Sequence, residues 1–299
     1  MRKFLFLFSI LILLYGCKSE EKRSVFNLTD DLGNGVSVAL PVSKAVSLAP
    51  NLTEIVYFIG AEKALAANTT YCNYPSEAKK KTKIGDLLNV DYEKLAEINP
   101  DIVLLTVEGN GKAQYEKLKS LGFSVFVSNP RSFAGILKTI SDFGKIFGKE
   151  KQAERKIMEI KNELREITSS AKKFEKKSAL FLIAVKPLIA AGQKTFINEY
   201  LETCGLTNVV AESKLNYPTI NEEELLKRNP DYIIIPSKQK KLFAELVENN
   251  SALQNLSAIK NNNVIYVNAD LYFRPGPRFI DALNDLVNKL KKKEGKQNE

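Results

Sequence analysis

A widely spaced internal repeat constrains the fold of this chain more than any other feature. Residues 93–105 read EKLAEINPDIVLL, and residues 223–235, placed 130 positions later, read EELLKRNPDYIII. In each copy a helical pattern runs into Asn-Pro-Asp and then a buried strand, because proline lacks the N–H group that a helix interior needs. A chance match is the alternative, since this joint is common in α/β proteins. A repeat of this period favours a duplicated α/β lobe over a solenoid.

Alternating strand and helix patterns surround both copies of the repeat. Residues 26–40 alternate and break at DDLGNG, which predicts a β-hairpin. A strand at 45–49 precedes a helix that we expect Asn51 to cap, with Glu54 three residues on and Gly60 closing the helix. Further strands are predicted at 102–107, 124–127, 179–184, 188–192, 232–235 and 264–267. This alternation predicts mostly parallel sheets.

The segment between the two copies has helical spacing and no strand pattern. Apolar residues recur from 133 to 147 and resume after Gly148 as far as Ile167. A helix over 149–168 would be about 30 Å long, and too few heptads are present for an isolated coiled coil. We therefore predict an N-terminal lobe over residues 25–130, a connecting helix over 131–172, a C-terminal lobe over 173–292 and a disordered tail over 293–299.

The N-terminus has the pattern of a lipoprotein signal peptide. Arg2 and Lys3 precede an apolar stretch over residues 4–14, which is too short to span a membrane. A small residue, Gly16, stands directly before Cys17, as in a lipobox. We predict a signal peptide over 1–16, lipidation of Cys17 and a tether over 17–24. The protein would then be anchored in the cell envelope outside the cytoplasm, in the periplasm if an outer membrane is present. An ordinary secretory signal with an incidental cysteine is the alternative.

Composition excludes several function classes. The chain contains no His, which removes His-based triads, His general bases and His metal ligands. It also lacks a G-x-S-x-G elbow, so we predict no enzyme, no catalytic cofactor and no metal site. The net charge of +9 is scattered without interleaved aromatics, which argues against nucleic-acid binding. An interaction lipoprotein without a small ligand stays open, as does whether Cys72 and Cys204 form a disulfide.

The order and spacing of several segments resemble one known family. The segments are VSLAPNLTEIVYFIGA (46–61), TTYCNYPSEAKK (69–80), EKLAEINPDIVLL (93–105), SLGFSV (120–125), TFINEYLETCGLTNVV (195–210), YPTINEEELLKRNPDYIII (217–235) and RPGPR (274–278). They resemble the helical-backbone substrate-binding proteins of ABC importers, which deliver cobalamin, iron siderophores or haem. Within that family the cobalamin-binding branch is the most similar. The resemblance implies two Rossmann-like α/β lobes joined by a long backbone helix, with a ligand cleft between them.

The resemblance also implies a set of ligand-binding residues. Tyr71 matches an aromatic contact in the first lobe, and Tyr217 matches one in the second lobe, where the best-known member has Trp. Asp270 and Arg274 match polar contacts near the final strand, although they could instead form a structural ion pair. The implied ligand is cobalamin or a related corrinoid. The alternative is an iron siderophore or haem, and Arg131 and Arg274 could then meet an anionic ligand.

This chain departs from the cobalamin-binding branch at two aromatic positions. Leu87 and Thr106 stand where cobalamin binders carry Trp, and the chain contains no Trp at all. Tyr74 and Tyr272 are additional candidates for ligand contacts. Arg278 is expected to cap or brace the C-terminal helix.

Two glutamates at equivalent positions of the repeat are the predicted docking residues. The resemblance implies that Glu93 and Glu223 meet arginines on the two subunits of an ABC permease dimer. Paired surface charges steer association and fix its register more than they add affinity. The alternative is that each glutamate is favoured only by the dipole at a helix N-terminus. We expect the protein itself to be a monomer.

Overall fold

The structure, a computed structural model, describes residues 24–171 and 175–295. The predicted signal peptide, Cys17 and all of the tether except its last residue lie outside these ranges, so the lipid anchor stays a prediction. Within the described ranges, none of the helices combines the length and the apolar character needed to cross a bilayer.

The first lobe is a parallel sheet with helices, preceded by a hairpin. In chain order its elements are β1 (Ser24–Thr29), β2 (Gly35–Leu40), β3 (Ala45–Ser47), α1 (Pro50–Phe58), β4 (Leu65–Asn68), β5 (Thr82–Lys83), α2 (Tyr92–Ile98), β6 (Ile102–Thr106), α3 (Lys112–Ser120) and β7 (Val125–Ser128). β1 and β2 pair antiparallel, as the alternating pattern predicts. The sheet has the order β5-β4-β3-β6-β7, and each neighbouring pair is parallel.

The connecting segment contains two helices rather than one. They are α4 (Phe133–Phe147) and α5 (Glu150–Ala171). Gly148 separates them in a left-handed conformation with φ of 62°, which suits glycine because it has no Cβ. With 22 residues, α5 is about 33 Å long at a rise of 1.5 Å per residue. It buries Ala153, Ile160 and Ile167 at intervals of seven residues, which form one apolar stripe.

The second lobe repeats the strand–helix alternation with a mixed sheet. Its elements are β8 (Ser178–Val185), β9 (Leu188–Ala190), α6 (Phe196–Thr203), β10 (Thr207–Asn208), β11 (Thr219–Ile220), α7 (Glu222–Arg228), β12 (Tyr232–Pro236), α8 (Lys240–Asn249), α9 (Ser257–Lys260), β13 (Val264–Val267), α10 (Ala269–Tyr272) and α11 (Phe279–Gly295). The order is β11-β9-β8-β12-β13, with β10 beside β8. β8, β12 and β13 are parallel, whereas β9 and β11 run antiparallel to their neighbours. Residues 293–295, predicted to be disordered, continue the helix α11.

The two copies of the repeat adopt the same local structure. α2 ends at Asn99 and α7 ends at Asn229, both in the left-handed conformation with φ of 47° and 38°. Asparagine tolerates this conformation better than most residues, and the proline that follows cannot continue a helix. The asparagine therefore ends each helix one residue before the proline identified from sequence.

The aspartate of each Asn-Pro-Asp joint anchors the start of a neighbouring strand. Asp101 Oδ2 accepts hydrogen bonds from the backbone N–H groups of Ser43 and Lys44, the two residues that precede β3, at 2.9 and 2.8 Å. Asp231 Oδ2 accepts from the backbone N–H and the hydroxyl of Ser178, the first residue of β8, both at 2.7 Å. The repeat thus fixes the same strand–strand contact in both lobes.

One hydrophobic cluster spans both lobes and the connecting helices, and each lobe has a further cluster of its own. Phe133, at the start of α4, stacks on Phe279 of α11 with ring centroids 4.4 Å apart, and lies 5.3 Å from Tyr200 of α6. α5 packs against α4, α6 and α11. Cys72 and Cys204 are both buried and free, so they do not form a disulfide. The predicted α/β fold with two lobes is confirmed.

Candidate functional site

A cleft lies between the lobes, beyond the carboxyl-terminal ends of β3, β6 and β13. Its volume is about 270 Å³, just below the range of about 300–1,000 Å³ for small-molecule sites. It is lined by Ala49, Pro50, Asn51, Tyr71, Leu87, Thr106, Glu108 and Gly109 from the first lobe and by Ala269, Asp270, Phe273, Arg274 and Pro275 from the second. A larger groove of about 490 Å³ beside α8 is formed by one lobe alone. The cleft is therefore the better candidate, because both lobes contribute to it.

The cleft begins at helix α1, whose start differs from the sequence prediction. Ala49 is the N-cap and Pro50 is the first helical residue, a position where the fixed φ of proline is already helical. Asn51 is therefore inside the helix and does not cap it. Its side-chain amide is buried and donates to the backbone carbonyl of Pro275 in the second lobe at 3.3 Å. Asn51 thus links the two sides of the cleft.

Tyr71 lies on a loop that is held by a half-buried lysine of β5, Lys83. The Tyr71 ring is exposed and lines the cleft. Below it, Lys83 Nζ donates to Asn68 Oδ1 at 2.6 Å and to the carbonyls of Ala78 and Thr69 at 3.0 and 3.3 Å. Burial lowers the pKa of Lys83. Sequence reasoning missed this lysine, which fastens both ends of the Tyr71 loop to β4.

Asp270 and Arg274 are both at the cleft, and they pair with each other at 3.3 Å. Arg274 also donates to Glu54 at 3.0 Å, to Asn73 Oδ1 at 2.7 Å and to the carbonyl of Tyr71 at 3.3 Å. Burial acts to raise the pKa of Asp270, but the hydrogen bond from Asn73 and the charge of Arg274 outweigh it and lower that pKa. The guanidinium of Arg274 is therefore largely engaged by the protein itself.

Glu54 is the centre of an ion-pair cluster between the lobes. Its side chain is 1% exposed, and it accepts two hydrogen bonds from Arg278, at 2.8 and 2.7 Å, besides the one from Arg274. Glu54 belongs to the first lobe and both arginines belong to the second. Arg278 directly precedes α11, and its carbonyl accepts from the backbone N–H of Ala282 at 3.0 Å, so its bonds to Glu54 tie the start of the C-terminal helix to α1, in agreement with the expected bracing role. Its guanidinium also lies 4.0 Å from the ring of Tyr74.

Tyr217 joins the lobes at the edge of the cleft. Its hydroxyl donates to Glu108 Oε1 at 3.0 Å, and Arg131 Nη1 lies 3.8 Å from the same oxygen. Burial raises the pKa of Glu108, although the hydrogen bond from Tyr217 and the charge of Arg131 act in the opposite direction. Burial, followed by the charge of Glu108, also raises the pKa of Tyr217. Sequence reasoning identified Tyr217 but not its carboxylate partner.

Two other tyrosines from the sequence analysis lie away from the cleft. Tyr272 is fully buried, packs against Phe181 and Tyr200, and donates its hydroxyl to Asp285 at 2.9 Å. Its suggested role in ligand contact is wrong, because no face of the ring reaches the cleft. Tyr74 lines a separate cavity of about 370 Å³ that also contains Arg278.

Leu87 and Thr106 both line the cleft. A Cβ atom at Gly109 would lie 3.1 Å from Thr106 Cγ2 and 3.6 Å from Leu87 Cδ2, so the absence of a side chain at Gly109 keeps this wall open. Thr106 is 5% exposed, and its Oγ1 is buried without a hydrogen-bond partner among the described residues. Leaving such a group unpaired costs about 1–3 kcal/mol.

Glu93 and Glu223 occupy the same position in the two copies of the repeat. Each is the second residue of its helix, and each is exposed. Asp91 caps α2 by accepting from Lys94 N at 2.9 Å, and Asn221 caps α7 in the same way. In the part of the chain that the structure describes, neither glutamate has a hydrogen bond or an ion pair.

The neighbours of Glu223 are engaged, unlike Glu223 itself. Glu222 accepts from Asn250 at 2.6 Å, and Glu224 accepts from Arg228 at 2.6 Å. Glu223 is therefore the acidic side chain of this helix that is left for an external cation. Across residues 24–171 and 175–295, no group of three or more Cys, Asp or Glu side chains could hold a metal ion.

Comparison with known proteins gives the same family at the level of sequence. The periplasmic binding protein family matches residues 46–271. The chain is 32% identical to an uncharacterized ABC transporter substrate-binding lipoprotein, YvrC, of Bacillus subtilis, over 93% of each chain. It is 26% identical to a vitamin B12-binding protein of Vibrio cholerae, over 84% of this chain and 90% of that protein.

Solved structures agree with these sequence matches. The periplasmic vitamin B12 binding protein BtuF of Vibrio cholerae has a TM-score of 0.75 and 25% identity, covering 85% of this chain and 98% of that one. A possible iron-binding protein from Staphylococcus epidermidis has a TM-score of 0.75 and 28% identity, covering 84% and 99%. Together with the family match over most of its length, these similarities confirm the resemblance identified from sequence: the chain belongs to the periplasmic binding protein family.

Proposed function

We propose that this protein binds cobalamin or a related corrinoid in the cleft between its lobes and delivers it to an ABC importer. The observation that carries the proposal is the composition of the cleft. Leu87, Phe273 and the exposed ring of Tyr71 supply apolar surface, and polar groups stand at the rim. A corrinoid is a broad, largely apolar ring edged with amides, and such a ligand needs this combination. The relatives named as vitamin B12-binding proteins support the same choice.

An anionic ligand fits this cleft less well. A ferric siderophore or the propionates of haem would require unpaired cations. Arg274, the one cation among the described residues that line the cleft, is bound by Glu54, Asn73 and Asp270. The similarity to a possible iron-binding protein makes an iron siderophore the second candidate. Arg131, at the edge of the cleft beside Glu108, would then be its first cationic contact.

The ligand class can be tested with a thermal-shift panel on the purified chain. Cobalamin, cobinamide, haem and ferric siderophores are added separately. A ligand present at 100 times its Kd stabilises the folded state by about 2.7 kcal/mol, or about 5 °C or more in Tm for a chain of this size. We expect cobalamin and cobinamide to give this shift. A shift from a siderophore, with none from any corrinoid, would contradict the proposal.

The membrane anchor and the docking surface complete the proposed function. We propose that Cys17 carries the lipid, in agreement with the name of the lipoprotein relative. A tether over residues 17–24 would span at most about 29 Å, which keeps the binding domain near the membrane. We further propose that Glu93 and Glu223 meet cationic residues on the two permease subunits. Their exposure, their equivalent positions and their lack of partners in the described chain support this role.

Charge reversal separates docking from ligand binding. The double variant Glu93→Lys and Glu223→Lys should abolish uptake while leaving ligand affinity unchanged, because neither residue lines the cleft. The matched control is Glu97→Lys with Glu248→Lys, which makes the same change in net charge at exposed positions of α2 and α8. Uptake is measured with labelled ligand in cells, and affinity with purified protein. Loss of affinity in the double variant, or equal loss of uptake in the control, would contradict the docking role.

A further inference from the structure

The first-lobe wall of the cleft contains a polar recess that the fold does not use. Leu87, Thr106 and Gly109 form this recess, and a side chain at Gly109 would crowd it. Asn110 closes it from behind, because its Oδ1 accepts from the backbone N–H of Thr106 at 3.0 Å and its Nδ2 donates to the carbonyl of Leu87 at 3.3 Å. The backbone of the recess is therefore satisfied and held in place.

The side-chain oxygens at this recess are the unsatisfied groups. Thr106 Oγ1 is buried and lacks a partner in the described chain, and so does Gln114 Oε1, whose amide nitrogen is bonded to Leu87 O at 3.3 Å. Buried polar groups in folded proteins nearly always have a hydrogen-bond partner. We therefore expect a bound ligand to supply the partner of an unpaired hydroxyl in the wall of a binding cleft.

The carboxylate beside the recess, that of Glu108, forms one ion pair within the described chain, a long one with Arg131. Glu108 receives a hydrogen bond from Tyr217 on Oε1, while its Oε2 has no partner among the described residues. Arg131 lies 3.8 Å from Oε1, beyond hydrogen-bond distance, and Arg274 is engaged elsewhere in the cleft. A second carboxylate placed here would meet like charge, whereas an N–H donor would meet acceptors.

We propose that Thr106 and Glu108 form a selectivity subsite that accepts an uncharged hydrogen-bond-donating arm of the ligand, such as a primary amide, and rejects a carboxylate. The N–H of the arm donates to the free Glu108 oxygen. Rotation of the Thr106 side chain brings its hydroxyl, which is covered in the ligand-free structure, to the arm's other polar group. The subsite rests on the proposed function for the ring system that carries the arm. It goes beyond that function by naming the residues that make the protein prefer a ligand with amide arms over the same ring system with carboxylate arms.

Two corrinoids that differ mainly in their arms test the subsite. Cobinamide carries amides, and cobyrinic acid carries carboxylates in their place. The unchanged chain should bind cobinamide at least about tenfold more tightly. Glu108→Gln, which keeps the size and removes the charge, should reduce this preference severalfold by improving binding of the acid. Glu116→Gln, at an exposed position of α3, is the matched control and should leave the preference unchanged.

Thr106→Val provides a second, independent readout. Valine has nearly the same shape, so the variant should fold, and loss of an unpaired buried hydroxyl should raise the Tm of the ligand-free protein. Affinity for cobinamide should nevertheless fall about fivefold, as expected for one lost hydrogen bond. A purely structural role for Thr106 would not combine higher stability with weaker binding. Unchanged cobinamide affinity in Thr106→Val, or an unchanged preference in Glu108→Gln, would overturn the subsite.

Haem and its dimethyl ester separate failure of the subsite from failure of the proposed function. If corrinoids bind but the variants do not alter the amide preference, the function stands and the subsite is wrong. If no corrinoid binds but the uncharged ester binds more tightly than haem, and Glu108→Gln removes that difference, the ring assignment is wrong and rejection of carboxylates at the subsite stands. If none of the four compounds binds, both proposals are wrong.

Discussion

Removing the buried carboxylate of Glu54 should destabilise the protein by about 3 kcal/mol. The side chain accepts three hydrogen bonds from Arg274 and Arg278, and it is 1% exposed. Removing one partner of a buried ion pair costs about 3–5 kcal/mol, because the remaining charge stays desolvated. The two arginine side chains are 13% and 16% exposed, so water relieves part of this cost and favours the lower value.

The variant Glu54→Leu is the sharpest form of this test. For a chain of this size, a loss of about 3 kcal/mol lowers Tm by about 5 °C, measured by circular dichroism or calorimetry. Glu159→Leu is the control, since Glu159 pairs with Lys156 on the surface of α5 and is 49% exposed. Exposed ion pairs contribute little, so the control should leave Tm nearly unchanged.

A third variant separates lost charge pairing from lost packing. If the cost comes from unpaired charges, replacing Glu54, Arg274 and Arg278 together with apolar residues of similar volume should restore much of the lost stability. If Glu54→Leu changes Tm no more than Glu159→Leu does, the cluster does not hold the lobes together and the reasoning is refuted.

Three further predictions follow from buried or repeated groups. Burial, and next the charge of Glu163, raise the pKa of Asp281. Protonated Asp281 therefore stabilises the folded state at pH values below the pKa that this group has in the unfolded chain. This contribution is lost as the pH rises through the pKa of Asp281 in the folded chain. Asp281→Asn should therefore raise Tm at pH 7.5 and have no such effect at about pH 3; an equal rise at both would contradict it. Asp101→Ala and Asp231→Ala should each cost about 1–3 kcal/mol in urea unfolding and add nearly independently, since they lie in different lobes. Burial raises the pKa of Cys204 to about 12. A thiol-alkylating reagent should therefore leave Cys204 unlabelled at pH 8 in the folded chain and label it in guanidinium, as measured by mass spectrometry.

The structural features that were predicted well from the sequence are those whose ends are set by capping or helix-ending residues nearby in the chain. α6 has such signals at both ends, because Thr195 caps it and Gly205 follows it with φ of 71°. The joints of the repeat are equally local, since Asn99 and Asn229 end their helices without help from distant residues. β4 and β5 were missed because they are short and show no alternation. The register of β4 comes from pairing with β3 and that of β5 from pairing with β4, and sequence alone does not display either pairing.

The candidate site was only partly visible in the sequence, because its main contacts join distant segments. Tyr71, Asp270 and Arg274 lie at the cleft as expected. Glu54 was interpreted as part of a helix cap, yet its partner Arg274 is 220 positions away. The signal that could have identified it is an acidic side chain on a helix face that is otherwise apolar, where a buried charge requires a partner.

The duplicated joint explains why the proposed docking residues and the cleft lie at the same end of the first lobe. α2 turns directly into β6 at Asn-Pro-Asp, so the helix and the strand run in opposite directions. The first turn of α2, with Glu93, therefore lies at the end where β6 finishes at Thr106, which lines the cleft. α7 and β12 repeat this arrangement and place Glu223 at the corresponding end of the second lobe. A permease that engages both glutamates would face the opening from which the ligand must leave. If cross-links from cysteines at positions 93 and 223 reached the permease only with the cleft turned away from it, this relation between docking and release would be wrong.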